Sequence, residues 1–356
     1  MTKSKFLIVT PSLKAGGLER VVSFLANWGA NLYSIWILSL GKGGCFYKLN
    51  SRVNVISPPD SIKNQNRYFQ MASGGIWMRN RVKSISPDVI CSFGEKYNSF
   101  VLLYLYGLGI PTFVANRASP ISSLSGFRGF VNPLIYRLAA GVLLQTKKSF
   151  SLLNRKYKFH NVQVLHNPID LDYPLLQREK VILNVGSIGG SKNQDWLLRY
   201  FSSLPKPAKN GWKLNFGGDG PQRKQCESLS KALELGDSVT FYGLISNIKP
   251  VYAKAAIFAF TSTSEGFPNA LAEAMAAGCA CIAYDCVAGP SDIIDDEVNG
   301  FLIPVGDEEQ YKQKLQSLME DADLRRRFGE AAREKMKQFE ANKIARKFYE
   351  FISQPL

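Results

Sequence analysis

Short apolar runs recur along this chain at intervals that leave room for one helix between neighbours, and few folds accommodate that spacing. The series opens with Phe6-Leu7-Ile8-Val9-Thr10, passes through the loop Pro11-Ser12-Leu13-Lys14-Ala15-Gly16-Gly17, and enters a stretch with Leu18, Val21, Val22, Leu25 and Ala26 at helical spacing. Runs of the same kind follow at Ser34–Leu40, Val53–Ile56, Val89–Ser92, Thr112–Ala115, Val142–Gln145 and Val162–Leu165. Strand and helix in alternation imply an α/β fold with a parallel, doubly wound sheet. Turn residues then cluster at Asn167-Pro168-Ile169-Asp170 and at Tyr173-Pro174, and Val181-Ile182-Leu183-Asn184-Val185-Gly186 restarts the pattern. Further strands are expected at Trp212–Phe216, Val239–Tyr242, Ile257–Phe260, Cys281–Tyr284 and Phe301–Ile303, with charged amphipathic helices from Glu308 onward. A length of 356 residues suits two domains of ~100–200 residues each. The expected division is 1–170, 171–340, and a closing helix over 341–356 that packs back on the first domain. Two such domains in series put a ligand cleft between the C-terminal ends of their strands.

With 46% hydrophobic and 21% charged residues, the chain lies far from the composition of disordered proteins, so both halves should bury cores. The longest apolar stretches, Leu32–Leu40 and Phe100–Val114, are short or interrupted, and neither reaches the ~20 residues of a membrane-spanning helix. Met1 to Lys5 leads into too short an apolar run for a secretory leader, and the protein is expected to stay cytosolic. Cys45, Cys91, Cys226, Cys279, Cys281 and Cys286 form no CxxC pair, which suits reduced thiols. The last three fit a buried strand after a helix better than a metal or redox site. The net charge of +15 is unevenly spread: residues 1–178 hold 22 Lys and Arg against 6 Asp and Glu, and the remainder is close to neutral. The first half therefore faces something anionic, whether phosphates, nucleic acid or an acidic leaflet.

The most informative segment is Ser264-Glu265-Gly266-Phe267-Pro268-Asn269-Ala270-Leu271-Ala272-Glu273-Ala274-Met275-Ala276-Ala277-Gly278. It reads as a loop entering a helix, with Pro268 at the first helical position, Leu271, Ala274 and Met275 on one face, and Gly278 at the C-terminal cap. Glu265 then lies in the loop above a strand, and Glu273 on the second helical turn. The start of such a helix offers free N–H groups and a positive dipole end, a ready site for a phosphate or diphosphate. From these residues alone, the two carboxylates are either sugar-binding groups or an acid favoured by the dipole with a surface glutamate beyond it.

This segment resembles the E-x7-E motif of family 4 retaining glycosyltransferases, and further matches fall in order along nearly the whole chain. Gly16-Gly17-Leu18-Glu19-Arg20 is similar to the family's GGxER loop, and Asn167-Pro168-Ile169-Asp170 to its interdomain N-[GP]-[IV]-D. Val185-Gly186 with Lys192-Asn193-Gln194, Gly217-Gly218-Asp219-Gly220-Pro221, Phe241-Tyr242-Gly243 and Asn299-Gly300-Phe301-Leu302 match later signatures. The resemblance implies a GT-B fold, two Rossmann-like doubly wound domains facing across a cleft, with the acceptor on the first and the nucleotide-sugar on the second. It implies that Glu265 contacts donor-sugar hydroxyls and Glu273 the ribose. The backbone around Asn269, Ala270 and Leu271 would hold the diphosphate, with Gly266, Phe267 and Pro268 also in the donor site, and Lys192 would neutralise the diphosphate as the leaving group departs. Catalysis would rest on Glu265 and Lys192, with Ser187 and Gly218 lining the donor pocket and Gly16 and Gly17 letting the first loop approach sugar and phosphate. No metal or other cofactor is implied. Two positions depart from the family: Ser187 stands where many members carry Arg, and the only histidines, His160 and His166, offer no counterpart to the cleft histidine of many relatives.

The segments Ser92-Phe93-Gly94-Glu95-Lys96-Tyr97-Asn98 and Asn116-Arg117-Ala118-Ser119-Pro120 are similar to a pair found in bacterial polysaccharide members. They make Glu95, Asn98 and Arg117 candidate acceptor contacts, or donor contacts. Asp170-Leu171-Asp172 spells the metal-binding DxD string of GT-A enzymes, but it falls in the interdomain turn, where Asp bonds local backbone. The likeness to polysaccharide enzymes implies a lipid-linked saccharide acceptor on polyprenyl diphosphate, and the basic half fits attraction to an anionic membrane surface. Lys147, Lys148, Arg155, Lys156 and Lys158, with Phe150, Leu152, Leu153, Tyr157 and Phe159 beside them, are expected docking residues; the other reading is a solvated basic face over core residues. The expected activity is retaining transfer of a hexose or N-acetylhexosamine from a UDP-sugar in O-antigen or capsule synthesis. A GDP-mannose-dependent mannosyltransferase is the alternative within the fold, and a nucleotide-sugar 2-epimerase shares the architecture. Nucleic-acid recognition motifs are missing, so no nucleic acid is expected as a partner.

Overall fold

The computed structural model describes residues 3–14, 16–41, 44–63, 66–117, 119–205 and 209–354. The chain divides into two units, Met1–Pro168 with Asn342–Leu356, and Ile169–Ala341. The first is built on seven parallel strands: β1 (Lys5–Thr10), β2 (Ser34–Ser39), β3 (Asn54–Ile56), β4 (Val89–Phe93), β5 (Thr112–Asn116), β6 (Gly141–Leu144) and β7 (Val162–Val164). They lie in the order β3-β2-β1-β4-β5-β6-β7, with β1 central and Ile8 opposite Ile37 on one side and Cys91 on the other. Helices α1 (Gly17–Gly29), α2 (Arg67–Ile85), α3 (Glu95–Leu105), α4 (Gly126–Ile135) and α5 (Lys147–Tyr157) connect them. A strand with helices over both faces has no wet side, which is why β1 reads Phe-Leu-Ile-Val-Thr and every one of those residues is buried.

The second unit repeats the plan with β8 (Glu179–Val185), β9 (Lys213–Gly217), β10 (Val239–Gly243), β11 (Ala255–Phe260), β12 (Ala280–Tyr284) and β13 (Phe301–Ile303), in the order β10-β9-β8-β11-β12-β13. Its longer helices are α6 (Gln194–Ser203), α7 (Arg223–Ala232), α8 (Asn269–Ala277), α9 (Glu308–Glu320) and α10 (Ala322–Met336). Five alanines among α8's nine residues keep it slim, and it sinks until Leu271, Ala272, Ala274, Met275, Ala276 and Ala277 are all buried. Pro268 is the cap of α8 rather than its first helical residue: its ψ of 70° lies outside the helix, while its carbonyl accepts from Ala272 N at 3.0 Å. At the other end Gly278 takes φ +80°, and the N–H groups of Gly278 and Cys279 close on Met275 O and Ala274 O, both at 2.9 Å.

The last helix, α11 (Ala341–Ile352), belongs to the core of the first unit. Ile344, Ala345, Phe348, Tyr349, Phe351 and Ile352 are buried together with Phe6, Ile8, Leu25, Phe93 and Phe113. Tyr349 Oη donates to Leu25 O at 2.9 Å, so close to α1 that a Cβ on Gly29 would sit 2.0 Å from that oxygen. Cys279, Cys281 and Cys286 are buried at and beyond β12, as the reading of a core strand requires. Asp170 accepts from Asp172 N at 2.9 Å in a local turn and pairs with Lys249 at 2.7 Å. Among the described residues no helix is long and apolar enough to cross a membrane.

Candidate active site

In each sheet the strand order reverses beside the first strand, between β1 and β4 in one unit and between β8 and β11 in the other. Loops leaving the C-terminal ends on either side of such a reversal turn away from each other, and the opening between them is where open α/β sheets bind ligands. The residues singled out in the sequence lie on those loops. Gly16 and Gly17 follow β1, Glu95 and Asn98 follow β4, and Arg117 follows β5; Ser187 and Lys192 follow β8, Gly218 follows β9, and Glu265 to Leu271 follow β11.

In the second unit the loops after β8 and β11 are stitched together. Thr261 Oγ1 donates to Lys192 O at 2.6 Å, Thr263 N to Ser191 O at 2.8 Å, and Ser191 Oγ to Ser264 O at 3.4 Å. This backbone seam presents Lys192 Nζ to Glu265 Oε1 as an ion pair, both side chains largely but not wholly covered. The ammonium also lies 5.9 Å from the Phe260 ring centroid. Cys286 faces the same place: burial, with Glu265 adding to it, pushes its thiol up to about 12. Ser187 is exposed on the loop, whose course is fixed by Gln194, the buried side chain that donates to Ser187 O at 3.1 Å and accepts from Gly189 N at 3.2 Å. Gly218, at φ +122°, passes so near the β8 loop that a Cβ would fall 2.1 Å from Gly186 O, a position open only to glycine.

Gly266, Phe267 and Pro268 carry the chain from Glu265 into α8, with Phe267 5% exposed as the anchor. The N–H groups of Ala270 and Leu271 in the first turn of α8 have no hydrogen-bond partner among the described residues, while Asn269 N donates back to Phe267 O at 2.9 Å. These donors at the dipole's positive end lie on the same loop-to-helix segment as Glu265, the partner of Lys192. Glu273, one turn further, accepts from Tyr252 Oη at 3.1 Å. Sequence reasoning missed Tyr252, Thr261, Thr263 and Ser191, which hold the named residues in place. Thr261 and Thr263 had a weak signal as polar residues at the end of an apolar strand; Tyr252 had none.

In the first unit α1 opens at Gly17, with Gly16 as its cap and Gly16 O accepting from Arg20 N at 3.0 Å and Tyr47 Oη at 3.1 Å. Ala15 of the expected loop, and Ala118 beside Arg117, lie outside the described residues. Glu95 begins α3 and is 9% exposed, with no hydrogen bond or ion pair among the described residues. Asn98 is 0% exposed: it accepts from Ser92 Oγ at 2.9 Å and donates to Ala115 O at 3.1 Å and to Tyr136 Oη at 3.0 Å. With its amide committed inside the core, Asn98 braces β4 against β5 and does not face solvent, which corrects its reading as an acceptor contact. Arg117 donates to Asn167 Oδ1 at 2.7 Å and lies 5.2 Å over the Phe93 ring. Burial lowers it to about 10, still a cation at neutral pH. The expected docking face of α5 is also corrected in its apolar half: Leu153 and Tyr157 are core residues, with Phe150 and Phe159 packed against them. The exposed apolar side chains nearby are Ile121, Phe130 and Leu134, and Lys156 Nζ lies 4.9 Å over the Phe130 ring.

Two doubly wound sheets with ligand loops at their strand ends are an architecture shared by transferases and epimerases of nucleotide-sugars, and comparison with known proteins decides the class. The sequence matches the family described as glycosyl transferases group 1 over residues 172–335. It is 30% identical over 358 residues, 96% of this chain and 97% of the relative, to the N-acetylgalactosamine-N,N'-diacetylbacillosaminyl-diphospho-undecaprenol 4-alpha-N-acetylgalactosaminyltransferase of Campylobacter jejuni. A second transferase of that organism, which adds N-acetylgalactosamine to a GalNAc-GalNAc-diNAcBac-PP-undecaprenol, is 26% identical over 99% of each chain. The crystal structure of Anabaena HepE with UDP and glucose superimposes with a TM-score of 0.80 over 98% of this chain and 99% of that one, at 18% identity, a likeness of fold. The chain belongs to the glycosyl transferases group 1 family; it is a glycosyltransferase with the GT-B fold, and its relatives include transferases of undecaprenyl-diphosphate-linked saccharides and a lipopolysaccharide galactosyltransferase of Escherichia coli.

Proposed function

We propose that this enzyme transfers a hexose or N-acetylhexosamine from a UDP-sugar, with retention at the anomeric carbon, to a saccharide carried on polyprenyl diphosphate in surface polysaccharide synthesis. The observation that carries the reading is the seam that holds Lys192 against Glu265, beside the N–H groups of Ala270 and Leu271 that have no partner among the described residues. A cation and preorganised N–H donors are what a departing diphosphate requires, and they supply it without a metal ion. In this reading the diphosphate takes over Lys192 from Glu265, which frees the carboxylate to accept hydrogen bonds from the donor sugar. Glu273, positioned by Tyr252, accepts from the ribose hydroxyls. The acceptor hydroxyl forms its bond to the anomeric carbon on the face from which UDP leaves, and its proton passes to the departing β-phosphate oxygen. Glu95 is the acceptor-side carboxylate, since it has no partner of its own among the described residues.

The names of the Campylobacter relatives support an N-acetylhexosamine and an undecaprenyl-diphosphate acceptor, and the UDP bound by HepE supports UDP over GDP. The excess of cations in residues 1–178, with Ile121, Phe130 and Leu134 exposed, supports a peripheral position on the inner face of the cytoplasmic membrane. The test is calorimetric titration of UDP and GDP, without added metal, into the wild type and Glu273→Ala, followed by proton NMR of the glycoside formed from UDP-N-acetylgalactosamine. UDP binding that Glu273→Ala weakens, and an α-anomeric product, are expected. Preference for GDP, or a β-anomer, would overturn the donor or the stereochemistry respectively.

A further inference from the structure

At the opposite end of the second sheet, where β8, β11 and β12 begin, lies a cavity of about 400 Å3. Arg178, the residue before β8, lines it together with Arg325, Arg326 and Arg333 of α10; Glu330 of that helix lines it too and pairs with Arg326 at 3.5 Å. Arg178, Arg325 and Arg333 form no ion pair with a carboxylate among the described residues, although Asp321 acts electrostatically on Arg325; backbone carbonyls hold the three instead. Arg178 donates through Nη1 to Tyr252 O at 2.9 Å and Ala255 O at 2.7 Å, and through Nη2 to Ala277 O. Arg333 Nη2 donates to the same Ala277 O at 2.9 Å, and Arg325 Nη1 donates to Leu318 O at 2.6 Å and Met319 O at 3.1 Å.

Carbonyls at a helix C-terminus attract one cation readily, which accounts for an arginine at Ala277, the last residue of α8. It does not account for two guanidiniums on one oxygen with a third in the same cavity. The positive charges of Arg178 and Arg333 adjoin, and burial together with the neighbouring Arg178 lowers the pKa of Arg333. Each guanidinium has more N–H groups than the carbonyls engage. An anion placed among them would satisfy those donors and relieve the like-charge contact. Beside the arginines, Leu175 at 82% exposure and Leu176 at 40% leave apolar surface on the cavity's rim. The cavity is distinct from the donor site: the six residues of β11 separate the two ends of the sheet by ~20 Å.

We propose that this cavity is a second ligand site that takes a small phosphomonoester, the phosphate seated among Arg178, Arg325 and Arg333 and the uncharged body against Leu175 and Leu176. A phosphomonoester is favoured over a carboxylate because it is close to a dianion at neutral pH and offers three acceptor oxygens to a site with three cations. The test uses the full chain and phenyl phosphate as the probe, with calorimetry for affinity and amide hydrogen exchange for location. The expected result is saturable binding that protects amides around Leu175–Glu179 and Gly278–Ala280. Arg333→Gln, which keeps a donor for Ala277 O and removes the charge, should bind about tenfold more weakly, the loss of one charge-assisted hydrogen bond. Absence of binding by the wild type, undiminished binding by a folded Arg333→Gln, or protection confined to Gly186–Asn193 and Glu265–Leu271 would overturn the proposal. If Arg333→Gln does not fold, the location of protection in the wild type decides. Phosphatidic acid vesicles, which carry a phosphomonoester headgroup, separate the two sources of phosphate: sedimentation that depends on Arg333, without phenyl phosphate binding, would assign the guanidiniums to a lipid headgroup and overturn a soluble ligand.

Discussion

Lys192 and Glu265 show how a site side chain depends on residues that do no chemistry. Each lies on a loop, and what brings the two together is backbone hydrogen bonding from Thr261, Thr263 and Ser191. Replacing Lys192 with Ala removes the only cation on that seam among the described residues. It should lower kcat by about 10²–10³-fold, the scale seen when one preorganised transition-state contact is lost, with Lys192→Arg recovering most of the rate. Steady-state kinetics with UDP-N-acetylgalactosamine reads this, and an unchanged kcat in Lys192→Ala would remove the residue from the mechanism. Glu95 and Asn98, three residues apart, should respond oppositely. Glu95→Gln should raise the KM for acceptor and leave the urea midpoint unchanged, because the carboxylate has no internal partner among the described residues. Asn98→Ala should cost about 3 kcal/mol in urea unfolding, because it leaves Ser92, Tyr136 and Ala115 O short of partners inside the core. The motif made the two residues look alike; burial separates them, and burial is not written in a local string of residues.

The closing helix α11 is the element whose role depends most on tertiary placement. Its alternation of Ile344, Ala345, Phe348, Tyr349 and Ile352 with lysine, arginine and glutamate declares an amphipathic helix, but not which sheet it covers. It fills the first unit's core, where Phe348 and Phe351 meet Phe93 and Phe113 with ring centroids 5.9 and 5.4 Å apart. Phe348→Ala should therefore destabilise the first unit by about 3–5 kcal/mol, as for other buried aromatic truncations. Gly29→Ala should also destabilise it, because the added methyl meets Tyr349 Oη. Tyr349→Phe placed in the Gly29→Ala background should return part of the loss. Thermal melts of the two single variants and the double variant measure that coupling, and strictly additive effects would disprove the contact.

At the scale of the whole molecule the dominant feature is charge. Residues 1–178 hold 22 of the 44 Lys and Arg but only 6 of the 29 Asp and Glu. Attraction of about 1 kcal/mol per basic residue near an anionic surface is screened within a Debye length. Binding to phosphatidylglycerol vesicles should therefore fall steeply between 50 and 300 mM salt, values chosen to span a Debye length from roughly 14 to 6 Å. A Phe130→Ser, Leu134→Ser double variant should bind more weakly at every salt concentration, because it removes the apolar part of the contact. Sedimentation with vesicles measures both, and salt-independent binding would contradict the electrostatic reading.

The amino-acid sequence by itself determined the two-sheet plan, the strand positions to within a residue or two, and the family, since apolar runs and glycine loops obey local rules of strand, turn and helix. It also declared the loop and helix that carry Glu265 and Glu273, because glycine and proline act through their own backbone. Only the tertiary structure decided that Asn98 is a brace, that the aromatics beside Lys147 and Arg155 are core, that Tyr252 holds Glu273, and that Arg178 shares one cavity with the arginines of α10. The physical reason is common to all four. Each depends on which side chains meet across elements and lose water, and the parallel sheets pair residues that lie far apart in the chain, from Trp36 with Asn54 to Phe6 with Val89.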